Sequence, residues 1–128
     1  MAYNVLVVDD SAIVRSVIKR AILLSGVDAG EIYEASNGKE ALEQLESVWV
    51  DIIFSDINMP IMDGIELVKD LGKRGVLKET PVVIVSTDRS EIRIREMKAC
   101  GVSEYLNKPF TPEEIRDTIE ACLNRDNT

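Results

Sequence analysis

The chain contains no histidine and only two cysteines. Lack of histidine excludes His-based metal sites, Ser-His-Asp or Cys-His catalysis, and a role as a phosphohistidine carrier. Cys100 and Cys122 sit at apolar positions of helix-like segments, so they read as two reduced, buried thiols rather than a disulfide or a metal pair. No apolar run approaches the roughly 20 residues of a membrane span. The opening MAYNVLVVDD has no basic segment ahead of its apolar run, so it does not read as a signal peptide. No membrane insertion and a cytoplasmic location are therefore expected. Positive charge is in deficit, with 15 Lys and Arg against 23 Asp and Glu and a net charge of -8. Such a surface repels phosphate backbones and argues against direct nucleic-acid binding.

What is present fits one globular domain. The 128 residues are 45% apolar and 30% charged, enough to bury a core without staples. Short β-rich runs at Asn4–Val8, Glu31–Ala35, Asp51–Ser55, Pro81–Ser86 and Ser103–Leu106 alternate with amphipathic stretches. Three runs are nearly unbroken Val, Ile, Leu or Phe, as in strands covered on both faces. Between them, Ile13, Val14, Val17, Ile18, Ala21 and Ile22 form a helical stripe. Further stripes run through Ala41, Leu42 and Leu45, through Ile65, Leu67, Val68 and Leu71, through Met97 and Cys100, and through Ile115, Ile119, Cys122 and Leu123. Ser11, Asp63 and Thr111 are the expected N-caps, and Gly26, Gly72 and Gly101 the expected helix stops. The pattern is (βα)5, a doubly wound α/β fold with a parallel five-stranded sheet and right-handed crossovers. Residues 1–124 are assigned to the domain and 125–128 to a short polar tail. Trp49 precedes the third strand and is expected as a structural aromatic at the end opposite the strand C-termini.

Ligand sites in open parallel sheets lie at the carboxyl ends of the strands. The first strand ends in Asp9-Asp10, the third in Asp56, the fourth in Ser86-Thr87, and Asn107-Lys108-Pro109 follows the fifth. Carboxylates brought together repel unless a cation neutralises them. Mg²⁺ suits such a set, since it takes one or two carboxylates and keeps positions for water and phosphoryl oxygen. A remaining carboxylate is then available as a nucleophile, and aspartate is known to form an aspartyl phosphate.

Val7-Val8-Asp9-Asp10-Ser11, Ser55-Asp56-Ile57-Asn58-Met59-Pro60, Met62-Asp63-Gly64, Ser86, Tyr105 and Lys108-Pro109-Phe110 span the chain in order. In these features it resembles the receiver domains of bacterial two-component response regulators. That resemblance implies the flavodoxin-like strand order 2-1-3-4-5, the order of the family's chemotaxis regulators. It implies Asp56 as phosphoacceptor, and Mg²⁺ held by Asp10, Asp56 and the Asn58 carbonyl, with Asp9 acting mainly through metal-bound water. Lys108 is implied as the partner of the phosphoryl oxygens, Ser86 as the switch hydroxyl and Tyr105 as the aromatic that follows it. A cis Lys108-Pro109 bond is implied as well.

Thr87 departs from the family's small residue after the switch hydroxyl. With Asn58 and Asp88 it is expected to modulate the rates of phosphorylation and hydrolysis. The implied partners are a sensor histidine kinase and a downstream protein met by the fourth helix, fifth strand and fifth helix. A flagellar motor switch is the leading model for that target. Ile92 and Ile94, two apart on one helix, cannot both face the core and hint at an exposed surface there. Because no further domain follows Thr128, output through protein binding is expected, although a phosphorelay intermediate or an excised receiver fits the same residues. An enzyme alternative is an Asp-nucleophile phosphatase of the haloacid dehalogenase type. It places its nucleophile after the first strand in an Asp-x-Asp arrangement, whereas this strand ends in Asp-Asp.

Overall fold

The computed structural model describes residues 2–123. Five strands alternate with five helices: β1 (Tyr3–Val8), α1 (Ala12–Leu24), β2 (Ala29–Ala35), α2 (Gly38–Ser47), β3 (Ile52–Ser55), α3 (Gly64–Lys73), β4 (Val82–Ser86), α4 (Glu91–Ala99), β5 (Glu104–Asn107) and α5 (Pro112–Leu123). A short 3-10 helix, Val76–Lys78, lies between α3 and β4. The strands form one parallel sheet in the order β2-β1-β3-β4-β5. The expected topology is therefore observed. The positions assigned to the domain end and polar tail, 124–128, lie outside the described residues. Among the described residues no helix is long and apolar enough to cross a membrane.

Strand alternation divides the core into two layers. Leu6, Val8, Ile53, Val82 and Ile84 face α2, α3 and α4. Val5, Val7, Ile52, Phe54, Val83 and Val85 face α1 and α5. The central strands β1, β3 and β4 are covered on both sides, which is why they read as unbroken apolar runs. Cys100 packs half-buried on the first layer and Cys122 is buried in the second, so the sheet separates them. Cys100 is thus less enclosed than expected.

Local signals set most boundaries. The Ser11 hydroxyl accepts from Val14 N–H at 3.2 Å, Asp63 closes a capping box with Glu66, and Thr111 exchanges bonds with Glu114. Gly26 and Gly101 take positive φ just beyond α1 and α4, as expected of helix stops. Gly72 does not. α3 runs on to Lys73, and the left-handed position is Gly75 at φ 76°, because the turn into the 3-10 helix needs a residue without Cβ three positions later. The α1 stripe is also narrower than the apolar pattern suggests. Ile18, Ala21 and Ile22 are buried, while Ile13 (78% exposed) and Val17 lie to one side in solvent. Trp49 sits at the expected end of the sheet but is 59% exposed, with its indole N–H 3.4 Å from Asp51 Oδ1. It is a surface residue rather than a packed structural aromatic.

Candidate functional site

The β1–β3 register sets the first half of the site. Val8 pairs with Ser55, so Asp9 and Asp56 emerge side by side from adjacent central strands. The ladder continues through both: Asp9 N–H donates to Ala35 C=O at 3.1 Å and Asp56 N–H to Val8 C=O at 3.0 Å. Asp9 is only 2% exposed, Asp56 is half-buried and Asp10 faces solvent. One carboxylate oxygen from each of the three lies within 4.8 Å of the others.

β5 delivers the counter-charge. Lys108 N–H donates to Ser86 C=O at 2.9 Å, extending the β4–β5 ladder past Asn107. The Lys108-Pro109 bond is cis, as the resemblance implies. Lys108 Nζ lies 3.3 Å from Asp9 Oδ2 and 3.8 Å from Asp56 Oδ2. Three carboxylates and one ammonium leave a surplus of two negative charges, the deficit that a divalent cation fills. Opposite oxygens around Mg²⁺ stand about 4.2 Å apart at its usual bond length, so the all-oxygen donor set and its spread are of the kind that this ion takes.

Burial pushes the Asp56 carboxyl above its ordinary range. The Ile57 N–H at 2.7 Å and the Lys108 ammonium pull it down, while Asp9 and Asp10 push it further up. A cation in the cluster would reverse that last contribution.

A second group surrounds the β4 end. Ser86 is buried, and its hydroxyl accepts from Asp88 N–H at 3.1 Å. Tyr105 Oη donates to Asp88 C=O at 2.7 Å. Burial raises the Tyr105 phenol, and the nearby Ser86 hydroxyl acts in the opposite direction. Asp88 Oδ1 accepts from Ser90 N–H at 2.8 Å, and Asp88 Oδ2 lies 3.7 Å from Arg93 Nε. Thr87, next to Ser86, and Asn58, two residues after Asp56, are exposed. The structure thus gathers Asp9, Asp10, Asp56 and Lys108 into one cluster and links Ser86, Asp88 and Tyr105 into another.

Three further residues shape the pocket. Arg15 Nη1 donates to the Asp9 carbonyl at 2.6 Å while its Nε pairs with Glu34 at 2.9 Å, fixing the turn that presents the acidic pair. The buried Ser55 hydroxyl donates to Asp56 C=O at 2.8 Å. Gly64 donates its N–H to Ile57 C=O at 2.7 Å, and a Cβ there would collide with the Asp56 carbonyl oxygen. Ser55 and Gly64 fall within motifs visible in the sequence, whereas nothing in the sequence singled out Arg15. Arg15 acts through contacts made across the fold, and Ser55 through the carbonyl of its own neighbour, an orientation set by the strand end.

Comparison with known proteins agrees with this geometry. Residues 5–120 match the family model of the response regulator receiver domain. Chemotaxis protein CheY of Pseudomonas aeruginosa is 35% identical, with 97% of this chain and 98% of that protein covered. CheY1 of Helicobacter pylori is 33% identical over 94% of this chain and 96% of its own length. Among solved structures, CheY4 of Vibrio cholerae superposes with a TM-score of 0.84 at 35% identity, covering 96% of this chain and all (100%) of that one. The receiver domain of Francisella response regulator 1452 gives 0.85 at 33% identity, covering 97% and 98%.

Proposed function

The chain belongs to the response regulator receiver family, and from that premise we propose that it is a switch in which Asp56 takes a phosphoryl group from a sensor histidine kinase. The family's work is phosphorylation-dependent signalling. The observation that carries the specific reading is the Asp9–Asp10–Asp56 cluster with Lys108 inserted beside it.

In this reading a carboxylate oxygen of Asp56 attacks the phosphorus of the donor phosphohistidine. The N–P bond breaks, its electron pair stays on the imidazole nitrogen, and that nitrogen then takes a proton. Asp9, Asp10, Asp56 and the Asn58 carbonyl would hold Mg²⁺, which supplies neutralisation of the phosphoryl oxygens when bound. Lys108 shifts from its carboxylate partners toward the phosphoryl oxygens and contributes positive charge there. Ser86 donates its hydroxyl hydrogen to one of them, drawing on the β4 end, and Tyr105 adjusts with it. The α4–β5–α5 face changes and is read by a partner protein. Because its relatives are chemotaxis proteins, that partner is a flagellar motor switch in the leading version, and a cytoplasmic location goes with it. Exposed Thr87 and Asn58, together with Asp88, tune access of the donor and of the hydrolysing water. The family match sets aside the haloacid dehalogenase alternative.

Incubation with acetyl phosphate and Mg²⁺, followed by intact-mass measurement, tests the assignment. A single phosphate adduct is expected on wild type, absent with EDTA and absent from Asp56→Asn. An adduct of equal yield on Asp56→Asn would overturn it.

A further inference from the structure

Residues two apart on a strand share one face. Tyr105 and Asn107 of β5 therefore project together, and both reach a single acceptor. Tyr105 Oη donates to the Asp88 carbonyl at 2.7 Å and Asn107 Nδ2 donates to the same oxygen at 3.2 Å. Asn107 also stands opposite Ser86 in the β4–β5 register, so its amide is anchored beside the strand end it acts on. On the other side of the residue, Asp88 N–H donates to Ser86 Oγ at 3.1 Å. Both backbone groups of Asp88 are thus held.

This has a consequence for the Ser86 hydroxyl, which carries one hydrogen and can accept through its lone pairs. Asp88 N–H engages the oxygen as acceptor, so the hydrogen is directed elsewhere. We propose that Asn107 is a positioning residue for phosphoryl capture: by pinning the Asp88 carbonyl it sets, through Asp88 N–H, the orientation in which Ser86 donates to a phosphoryl group on Asp56. The inference rests on Asp56 as phosphoacceptor. It separates two events that a single donor would tie together. When Tyr105 withdraws its hydroxyl, the short amide of Asn107 keeps the β4–α4 connection docked, and Ser86 stays aimed.

Asn107→Leu removes the donor at nearly constant volume, and Asn107→Gln keeps an amide. Two readouts are needed. Amide exchange at Asp88 in the unphosphorylated protein requires no phosphoryl chemistry. Affinity for beryllofluoride with Mg²⁺ reports capture. Asn107→Leu is expected to speed Asp88 exchange and to weaken beryllofluoride binding, each by about five-fold, the size of one neutral hydrogen bond. Asn107→Gln is expected to recover most of both. On a Tyr105→Phe background the leucine change should weaken binding by more than the product of the single effects, because no side-chain donor to the carbonyl then remains. Unchanged Asp88 exchange and unchanged affinity in both backgrounds would overturn the proposal. So would a lowered melting temperature with exchange accelerated uniformly across the sheet, which marks a packing role only. If wild type fails to bind beryllofluoride, the Asp56 assignment is what fails, and the exchange data still decide whether Asn107 holds Asp88.

Discussion

The two helices that follow β3, which ends before Asp56, and β4, which ends in Ser86, are held in unlike ways. α3 buries Gly64, Leu67, Val68 and Leu71, opens with a complete capping box, and is tied to the acceptor loop by the Gly64–Ile57 bond. α4 buries Met97 alone. Its other supports include the Ser90 cap and exposed ion pairs such as Arg95–Glu91 at 3.4 Å, the pairs worth only tenths of a kcal/mol each. Burial thus fixes the Asp56 side, while the Ser86 side rests on a few polar bonds around Asp88. Segments with few buried apolar contacts open most readily, so in the proposed switch a phosphoryl group would need little work to shift the Ser86 side and would meet stiff resistance on the side that holds Asp56.

The largest expected effect comes from attacking the stiff side. Gly64→Ala places a methyl against the Asp56 carbonyl and the Ile57 Cα. It should cost about 3 kcal/mol in urea unfolding and abolish phosphoryl uptake. Near-wild-type stability would show that this loop yields after all.

Asp56→Asn sharpens the contrast from within. Burial raises the folded pKa of Asp56. A carboxyl raised in the fold lends stability that is complete below its unfolded value, near pH 4, and is lost as pH rises through the folded value. In EDTA at pH 7 the asparagine variant should therefore have the higher urea midpoint, and the gap should close toward pH 4. Equal midpoints at both pH values would mean that the ionised carboxylate is already compensated without metal. The smallest effect belongs to Ile92→Ala on α4. That side chain is 69% exposed, so the change should stay within about 0.5 kcal/mol of wild type while weakening binding of a partner to the phosphorylated form. A large loss of stability would place Ile92 in the fold's support rather than on its output face.

Much of the fold and of the acidic cluster was legible in the sequence, and the reasons are specific. β1, β3 and β4 announce themselves because layers on both faces demand unbroken apolar side chains. Ser11, Asp63 and Thr111 announce helix starts because orphan N–H groups need an oxygen at that spacing. Asp9, Asp10, Asp56 and Lys108 were readable because a parallel sheet brings its strand ends to one rim. Other features were not. Ile13 and Val17 carry the right period, yet only packing decides which flank of an apolar helix is left in water. Gly72 and Gly75 look alike as stops, and the turn geometry alone chooses between them. Arg15 and the Asn107 amide act on backbone carbonyls brought near by folding, and a side chain's preference for such a carbonyl leaves no trace in local spacing.

The Lys108–Asp9 pair joins positions 99 apart in the chain. On the ribosome, the acidic end of β1 and Asp56 are made well before the lysine that moderates them. Until β5 is translated and docks at the sheet edge, a nascent copy carries its carboxylates without their amine and cannot complete the pocket. The pocket is therefore completed late in the protein's own making, when β5 is laid down.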